Sequence, residues 1–180
     1  MSSRREAERW VERVPPGDSL PRLVCDRCGF VRYENPKIVV GSVVTQGDRY
    51  LMCRRAIEPR RGYWTLPAGF MELDETPAEG AAREAREEAC AEIAIDGLLA
   101  VYTIRHLGQV QLIFRATLRS EIEPGPESEA VALLLWEEIP WAEIAFPSVR
   151  WALHQHRSLA GAPLGAPFGN PKGEDGRIGG

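Results

Sequence analysis

The sequence predicts an α+β fold, a sandwich of a β-sheet and helices. Several short apolar stretches have strand character, a strong helical pattern over residues 76–90 interrupts them, and a second helical pattern over residues 148–159 comes late in the chain. This order of elements indicates a sheet covered by helices. With 180 residues, of which 44% are hydrophobic, the chain is long enough for one sizeable core.

The remaining elements follow in order along the chain. A charged segment ends in the turn signal Pro15-Pro16-Gly17-Asp18, and a small element follows at residues 25–29. The tail contains seven Gly and three Pro and is predicted to be disordered. We expect an N-terminal segment (1–34), a main domain (35–160) and this tail (161–180). The predicted strands are 38–44, 50–53, 64–66, 98–104, 110–118 and 131–136, with turns at 46–48 and 106–108.

Composition argues against several classes of protein. The formal net charge is −4, whereas a general nucleic-acid binder usually has a basic excess. No apolar run is long enough to span a bilayer, and residues 1–14 lack the apolar core of a signal peptide. The four cysteines do not form the pattern of a secreted disulfide framework. We therefore expect a cytoplasmic protein.

The helix at residues 76–90 begins with a clear capping signal. Thr76 can serve as the N-cap, Pro77 follows at the first helical position, and Glu79 completes a capping box. Alanines recur along the helix at helical spacing, so one narrow apolar face can approach a sheet closely. The sequence therefore predicts a helix that packs tightly through this face.

The same helix gathers three carboxylates within one turn. Glu84, Glu87 and Glu88 stand at positions i, i+3 and i+4, which share a helix face. Like charges this close are unfavourable unless a positive group lies between them, and a hard divalent cation prefers such oxygen ligands. Arg83 lies four residues before Glu87 and can hold that carboxylate in place. The alternative is a solvated acidic surface.

The wider context of these carboxylates favours the metal site. Gly69, Glu75 and the run Arg83-Glu84-Ala85-Arg86-Glu87-Glu88 resemble the Nudix box, G-x5-E-x7-R-E-U-x-E-E-x-G-U, in which U is a bulky apolar residue. Six of the seven fixed residues are present, and Cys90 replaces the last Gly. Residues 33–41 and 55–70 look like the zinc-ribbon branch of that family. The resemblance implies an α/β/α Nudix sandwich with a mixed sheet, in which the box forms a loop-helix-loop.

The resemblance also implies roles for individual residues. The three clustered glutamates would bind Mg²⁺ or Mn²⁺ with help from the Gly69 carbonyl, while Glu75 would assist the metal ligands or orient water. A further carboxylate usually comes from a later loop, where Glu127 is the candidate and Glu129 the alternative. Arginine can fork onto phosphate oxygens, and exposed aromatic rings can stack on a base. The candidate substrate-binding residues are Arg54, Arg55, Arg61 and Phe70, with Arg60 in the same basic cluster.

The zinc site is incomplete in this sequence. Cys25 and Cys28 have metal-ligand spacing, but structural zinc needs four ligands. Related zinc-ribbon proteins carry an earlier Cys-x-x-Cys about twenty residues upstream, where this chain has neither cysteine nor histidine. We expect less than one tightly bound zinc per chain. A site completed by a distant residue or by a partner chain is the alternative.

The resemblance implies a hydrolase that cleaves the pyrophosphate of a nucleoside diphosphate linked to another moiety. ADP-ribose and FAD are favoured over NADH as substrates, and a homodimer is expected. A nucleotide sensor without catalytic activity is the alternative, although a sensor does not need the intact carboxylates Glu84, Glu87 and Glu88. A nucleic-acid-binding ribbon protein is disfavoured by the incomplete cysteine set and by the acidic net charge.

Overall fold

The computed structural model describes residues 9–178, and the chain divides into two compact units with the boundary between Asn35 and Pro36. Within the described residues no helix is long and apolar enough to cross a membrane. The N-terminal unit is an antiparallel three-stranded sheet in which the middle strand pairs with both others. Its strands are β1 (Trp10–Arg13), β2 (Arg22–Cys25) and β3 (Val31–Arg32).

The two cysteines of the N-terminal unit lie in the turn from β2 to β3. The Cys25 N–H donates to the Phe30 carbonyl at 2.8 Å, and the Gly29 N–H donates to the Cys25 carbonyl at 2.9 Å. Cys25 is buried and Cys28 is exposed. Ser3 and Glu6, near which the other half of a zinc site would lie, are outside the described residues.

The second unit is built on a mixed sheet of seven strands in which β4 and β9 pair in parallel. The order along the sheet is β10-β5-β4-β9-β8, and two short strands pair at its side, β6 with β5 and β7 with β4. The strands are β4 (Lys37–Gln46), β5 (Arg49–Arg55), β6 (Trp64–Thr65), β7 (Ala68–Phe70), β8 (Ile93–Ile104), β9 (Gln109–Leu118) and β10 (Ser128–Leu134).

Two helices cover opposite faces of this sheet, α1 (Pro77–Ala89) and α2 (Pro147–Ser158). The alanine face of α1 packs with Val44 and Leu51, whereas Trp151 and Leu153 of α2 pack with Val43. Successive residues of a strand point to opposite faces, so Val43 and Val44 belong to the two halves of the core. The predicted α/β/α sandwich with a mixed sheet is confirmed.

Helix α1 begins as its sequence predicts. The Glu79 N–H donates to Thr76 Oγ1 at 3.3 Å, and the Thr76 N–H donates to Glu79 Oε2 at 2.7 Å, which completes the capping box. The helix ends at Ala89, and the C-cap residue Cys90 has a φ of 50°. This left-handed conformation favours glycine, so cysteine at this position carries a small backbone cost.

The C-terminal segment differs from the predicted disordered tail. The Phe168 N–H donates to the Leu99 carbonyl at 2.9 Å, and the Val101 N–H donates to the Phe168 carbonyl at 2.8 Å. Asn170 exchanges two further hydrogen bonds with the Thr103 backbone. Leu164 and Phe168 also pack against the buried core. Two apolar side chains and backbone pairing to β8 hold the segment in place despite its glycine content.

Candidate active site

A cavity of about 540 Å³ opens beside the C-terminal half of α1. This volume lies within the range of small-molecule sites. Its walls come from β7, α1, β9, the segment between β5 and β6, and the start of α2. Of the residues proposed from the sequence, the cavity is lined by Arg55, Gly69, Phe70, Arg83, Glu84, Glu87, Glu88 and Glu127.

The carboxylates of α1 form one wall of this cavity. Glu84 and Glu88 are 7% and 5% exposed, whereas the Glu87 side chain is 56% exposed. Helical spacing places all three on one face of α1. Two ionisable groups are thus withdrawn from water, and the third stays accessible.

Arg83 supplies the positive charge among these carboxylates. Its Nη1 donates to Glu84 at 2.7 Å and to Glu87 at 2.9 Å. Its Nε and Nη2 donate to Glu75 at 3.0 and 2.8 Å. The sequence-based expectation that Arg83 holds Glu87 agrees with this geometry, and the same guanidinium also anchors Glu84 and Glu75.

Glu75 does not line the cavity and instead anchors Arg83 from the loop before α1. The Arg83 guanidinium and the Glu72 N–H, which donates at 2.8 Å, hold the pKa of Glu75 at about 2. Glu75 is therefore a carboxylate under ordinary conditions. It fixes one edge of the guanidinium while the other edge contacts the α1 carboxylates.

Glu88 is the most perturbed of the acidic groups. Burial, followed by the neighbouring Glu84 charge, raises the pKa of Glu88 to about 8, although the Arg55 charge opposes the shift. Burial also raises the pKa of Glu84. Glu88 Oε2 is buried without a hydrogen-bond partner. A buried carboxylate oxygen without a partner is costly, and a cation in the cavity would remove that cost.

Two close backbone approaches position the acidic wall. A Cβ on Gly69 would lie 2.5 Å from both carboxylate oxygens of Glu84. A Cβ on Gly125 would lie 1.7 Å from the Glu87 carbonyl oxygen, and the Gly125 N–H donates to the Glu88 carbonyl at 3.0 Å. Only glycine allows either approach. The second contact brings the loop that carries Glu127 against the end of α1.

The donor set matches the chemistry of a hard divalent cation. The cavity is lined by several carboxylates and by the backbone of Gly69, whose carbonyl oxygen is a possible ligand. Its lining residues include no sulfur or imidazole group. Mg²⁺ and Mn²⁺ prefer such oxygen ligands. In this arrangement, however, no group of three or more acidic, histidine or cysteine side chains within residues 9–178 is gathered as a metal site. Arg83 lies among the carboxylates and takes the place of a cation's charge.

The arginines divide between the cavity and the surface. Arg55 lines the cavity, where its Nε donates to the Pro59 carbonyl at 2.8 Å and its guanidinium lies 5.4 Å from the Phe146 ring centre. Arg54 is outside the cavity, and its Nε donates to the Gly62 carbonyl at 2.8 Å. Arg61 is also outside and pairs with Glu129 at 3.0 Å. Successive strand residues face opposite ways, which separates Arg54 from Arg55.

Of the two later carboxylates, Glu127 lines the cavity, whereas Glu129 does not line it and forms an ion pair with Arg61. Phe70 lines the mouth with 53% of its surface exposed, and Lys37 Nζ lies 5.3 Å from its ring centre. Cavity residues that the sequence did not indicate include Gln109, Gln111, Phe146 and Ser148. The spacing of Gln109 and Gln111 on a strand was the available signal, because residues i and i+2 share a face.

Comparison with known proteins agrees with the fold. Residues 35–155 match the NUDIX domain, and residues 7–34 match the Nudix N-terminal family, a zinc ribbon. A MutT-like protein of Streptomyces ambofaciens is 41% identical over 102 residues, which cover 56% of this chain and 64% of the relative. An ADP-ribose pyrophosphatase of Methanocaldococcus jannaschii is 32% identical over 71 residues, which cover 39% and 42%. The chain thus spans less than two thirds of these curated relatives.

A solved structure resembles almost the whole chain. The crystal structure of a NUDIX hydrolase from Nitrosomonas europaea is 42% identical and superposes with a TM-score of 0.84, covering 92% of this chain and 96% of that one. The resemblance drawn from the residues around α1 is therefore confirmed. With its domain match, its sandwich fold and the acidic face of α1 at a cavity, this chain belongs to the Nudix hydrolase family.

Proposed function

We propose that this Nudix enzyme uses Mg²⁺ or Mn²⁺ to hydrolyse the pyrophosphate of a nucleoside diphosphate linked to another moiety, with ADP-ribose favoured and FAD next. The observation that carries the proposal is the wall formed by Glu84, Glu87 and Glu88, in which a buried oxygen of Glu88 lacks a partner. The negative charge of these carboxylates can bind a divalent cation, which phosphate hydrolysis uses to neutralise the phosphate oxygens.

The metal ligands would be Glu84, Glu87, Glu88 and Glu127, together with the Gly69 carbonyl. Bound there, a divalent cation would supply charge neutralisation at the phosphate oxygens and a more acidic water. The carboxyl group of Glu88 has to lose its proton before it can serve as a ligand. Arg83 has to release at least part of its contact with Glu84 and Glu87, while Glu75 keeps the guanidinium near the wall.

Other side chains of the cavity would bind the substrate. Arg55 is held by a carbonyl and an aromatic ring, so its remaining N–H groups can donate to a phosphate oxygen. Phe70 offers an exposed ring at the cavity mouth. Hydrolysis forms a bond from the water oxygen to one phosphorus and breaks the bond from that phosphorus to the bridging oxygen. ADP-ribose would give AMP and ribose 5-phosphate.

The relative named ADP-ribose pyrophosphatase supports the choice of substrate, although it aligns with only 39% of this chain. The proposal also includes a homodimer in the cytoplasm. A nucleotide sensor on the same scaffold is the competing function. Turnover separates the two, because a sensor binds a nucleotide without cleaving it.

The test is hydrolysis of ADP-ribose, FAD, NADH and UDP-glucose with Mg²⁺ or Mn²⁺, followed by identification of both products. We expect AMP and ribose 5-phosphate from ADP-ribose, and little product after chelation of the metal or in the Glu88→Gln variant. Binding of ADP-ribose without cleavage under all these conditions would support the sensor and reject the enzyme.

A further inference from the structure

A pair of glutamine amides lies on the sheet side of the cavity. Gln109 and Gln111 occupy alternate positions of β9 and both line the cavity. Gln111 Nε2 donates to Gln109 Oε1 at 3.3 Å. Within the described residues no other group bonds the two amides. The pair therefore presents an amide acceptor on Gln111 and amide donors on Gln109 that remain available.

The surroundings of the pair are mostly apolar. Val39, Leu107, Ile113 and Val149 line the same cavity. A polar edge in an apolar setting favours a flat ligand that is itself apolar on its faces and polar at its rim. A nucleobase has these properties, whereas a sugar or a phosphate does not.

The sheet register places an aromatic ring beside this position. Phe70 of β7 pairs with Val39 of β4, and Val39 pairs with Gln111 of β9. Residues in register share a face, and neighbouring strands lie about 4.8 Å apart, so Phe70 and Gln111 are separated by about 10 Å across Val39. This is a separation between backbones, so a purine lying over Val39 would be within reach of both side chains.

We propose that Gln109 and Gln111 recognise the edge of an adenine, which makes them the base-selecting residues of the cavity. This inference rests on the proposed hydrolysis of a dinucleotide-like substrate. A glutamine amide pairs with the 6-amino group and N7 of adenine as donor and acceptor, whereas guanine offers two acceptors along that edge. Hypoxanthine has the shape of adenine with an oxygen in place of the 6-amino group and a hydrogen on N1. Along the edge that includes N7, only the 6-substituent differs, so hypoxanthine tests that contact.

The test compares kcat/KM for ADP-ribose with kcat/KM for its hypoxanthine counterpart, IDP-ribose. We expect the wild type to prefer ADP-ribose on the order of tenfold to a hundredfold, the discrimination of one good amide pair. Replacing both glutamines by methionine, as Gln109→Met and Gln111→Met, removes the polar groups at nearly constant length and should bring the ratio towards one. Gln46→Met, at the exposed end of β4, is the matched control and should keep the wild-type ratio.

Calorimetric binding of AMP and IMP in the presence of Mg²⁺ gives a second measurement that needs no turnover. Preferential binding of AMP without hydrolysis of either substrate would reject the proposed function and retain the base-selecting pair. Hydrolysis with equal kcat/KM for the two substrates, or a preference unchanged in the double variant, would overturn the inference and leave the proposed function standing. Absence of both binding and hydrolysis would overturn both.

Discussion

Gly69→Ala should impair the enzyme through a single methyl group. The new Cβ would lie 2.5 Å from both oxygens of the Glu84 carboxylate, whereas ordinary contact begins at about 3.5 Å. The Glu84 carboxylate therefore has to retreat by about 1 Å or rotate away. Because Glu84 is a proposed metal ligand, the displacement disturbs the site while the fold is preserved.

The expected loss follows from that displacement. A shift of about 1 Å in a catalytic group can reduce the rate on the order of 10²-fold. Overpacking should cost roughly 1–3 kcal/mol of stability, which the side chain of Glu84 can relieve by moving. The assay is kcat with ADP-ribose across a Mg²⁺ titration, together with the melting temperature. We expect a lower kcat and a higher Mg²⁺ requirement.

Gly165→Ala is the matched control, because a Cβ there meets no heavy atom within 4 Å. It should behave as the wild type in both measurements. If Gly69→Ala retained the wild-type kcat and Mg²⁺ dependence, Glu84 would not be a ligand at that position, and the assignment of the acidic wall would fail.

Four further predictions concern the metals and the assembly. Glu87→Gln and Glu88→Gln should each lower kcat at limiting Mg²⁺ by at least about 10²-fold without unfolding the protein; wild-type turnover in both would reject the ligand set. The pKa of Glu88 is raised to about 8, against 4.5 for an ordinary glutamate. Between these two pH values the folded metal-free protein keeps a proton on Glu88 that the unfolded chain loses. The contribution of Glu88 to the free energy of unfolding therefore falls as pH rises from 4.5 to about 8. Bound Mg²⁺ competes with that proton, so the rise in melting temperature on adding Mg²⁺ should be larger at pH 8 than at pH 5, and an equal rise would contradict the role of Glu88. Purified protein should contain less than one zinc per chain by elemental analysis, and zinc chelation should leave Mg²⁺-dependent hydrolysis intact; stoichiometric zinc lost in Cys25→Ser would refute this. Light scattering should show a homodimer, and a monomer at assay concentration would be the contrary result.

Local signals were sufficient to predict α1 and the acidic residues on it. The capping box of Thr76 and Glu79, and the helical spacing of Glu84 and Glu88, depend on residues within a few positions of each other. The hairpin of β8 and β9 was also predicted, because its two apolar runs flank a short turn closed at Gly108, which has a φ of 59°. In each case the interactions that form the element are close in the sequence.

Features that depend on distant partners were missed. The three-residue strand β7 exists because it pairs with β4, and too few residues carry a pattern for it to be predicted. The C-terminal segment is ordered through Phe168, whose backbone partners lie on β8 about seventy residues earlier. The sequence could not show that Arg55 lines the cavity and Arg61 does not. Arg61 forms an ion pair with Glu129, and these two residues are far apart in the sequence.

The C-terminal segment also constrains how copies of this protein can associate. An edge strand with open N–H and carbonyl groups can recruit a strand from another molecule. On β8 the backbone of Phe168 already bonds the Leu99 carbonyl and the Val101 N–H. The side chain of Asn170 bonds the N–H and the carbonyl of Thr103. A dimer that extends the sheet by strand addition would therefore have to form at β10, the opposite edge, or displace the chain's own tail first.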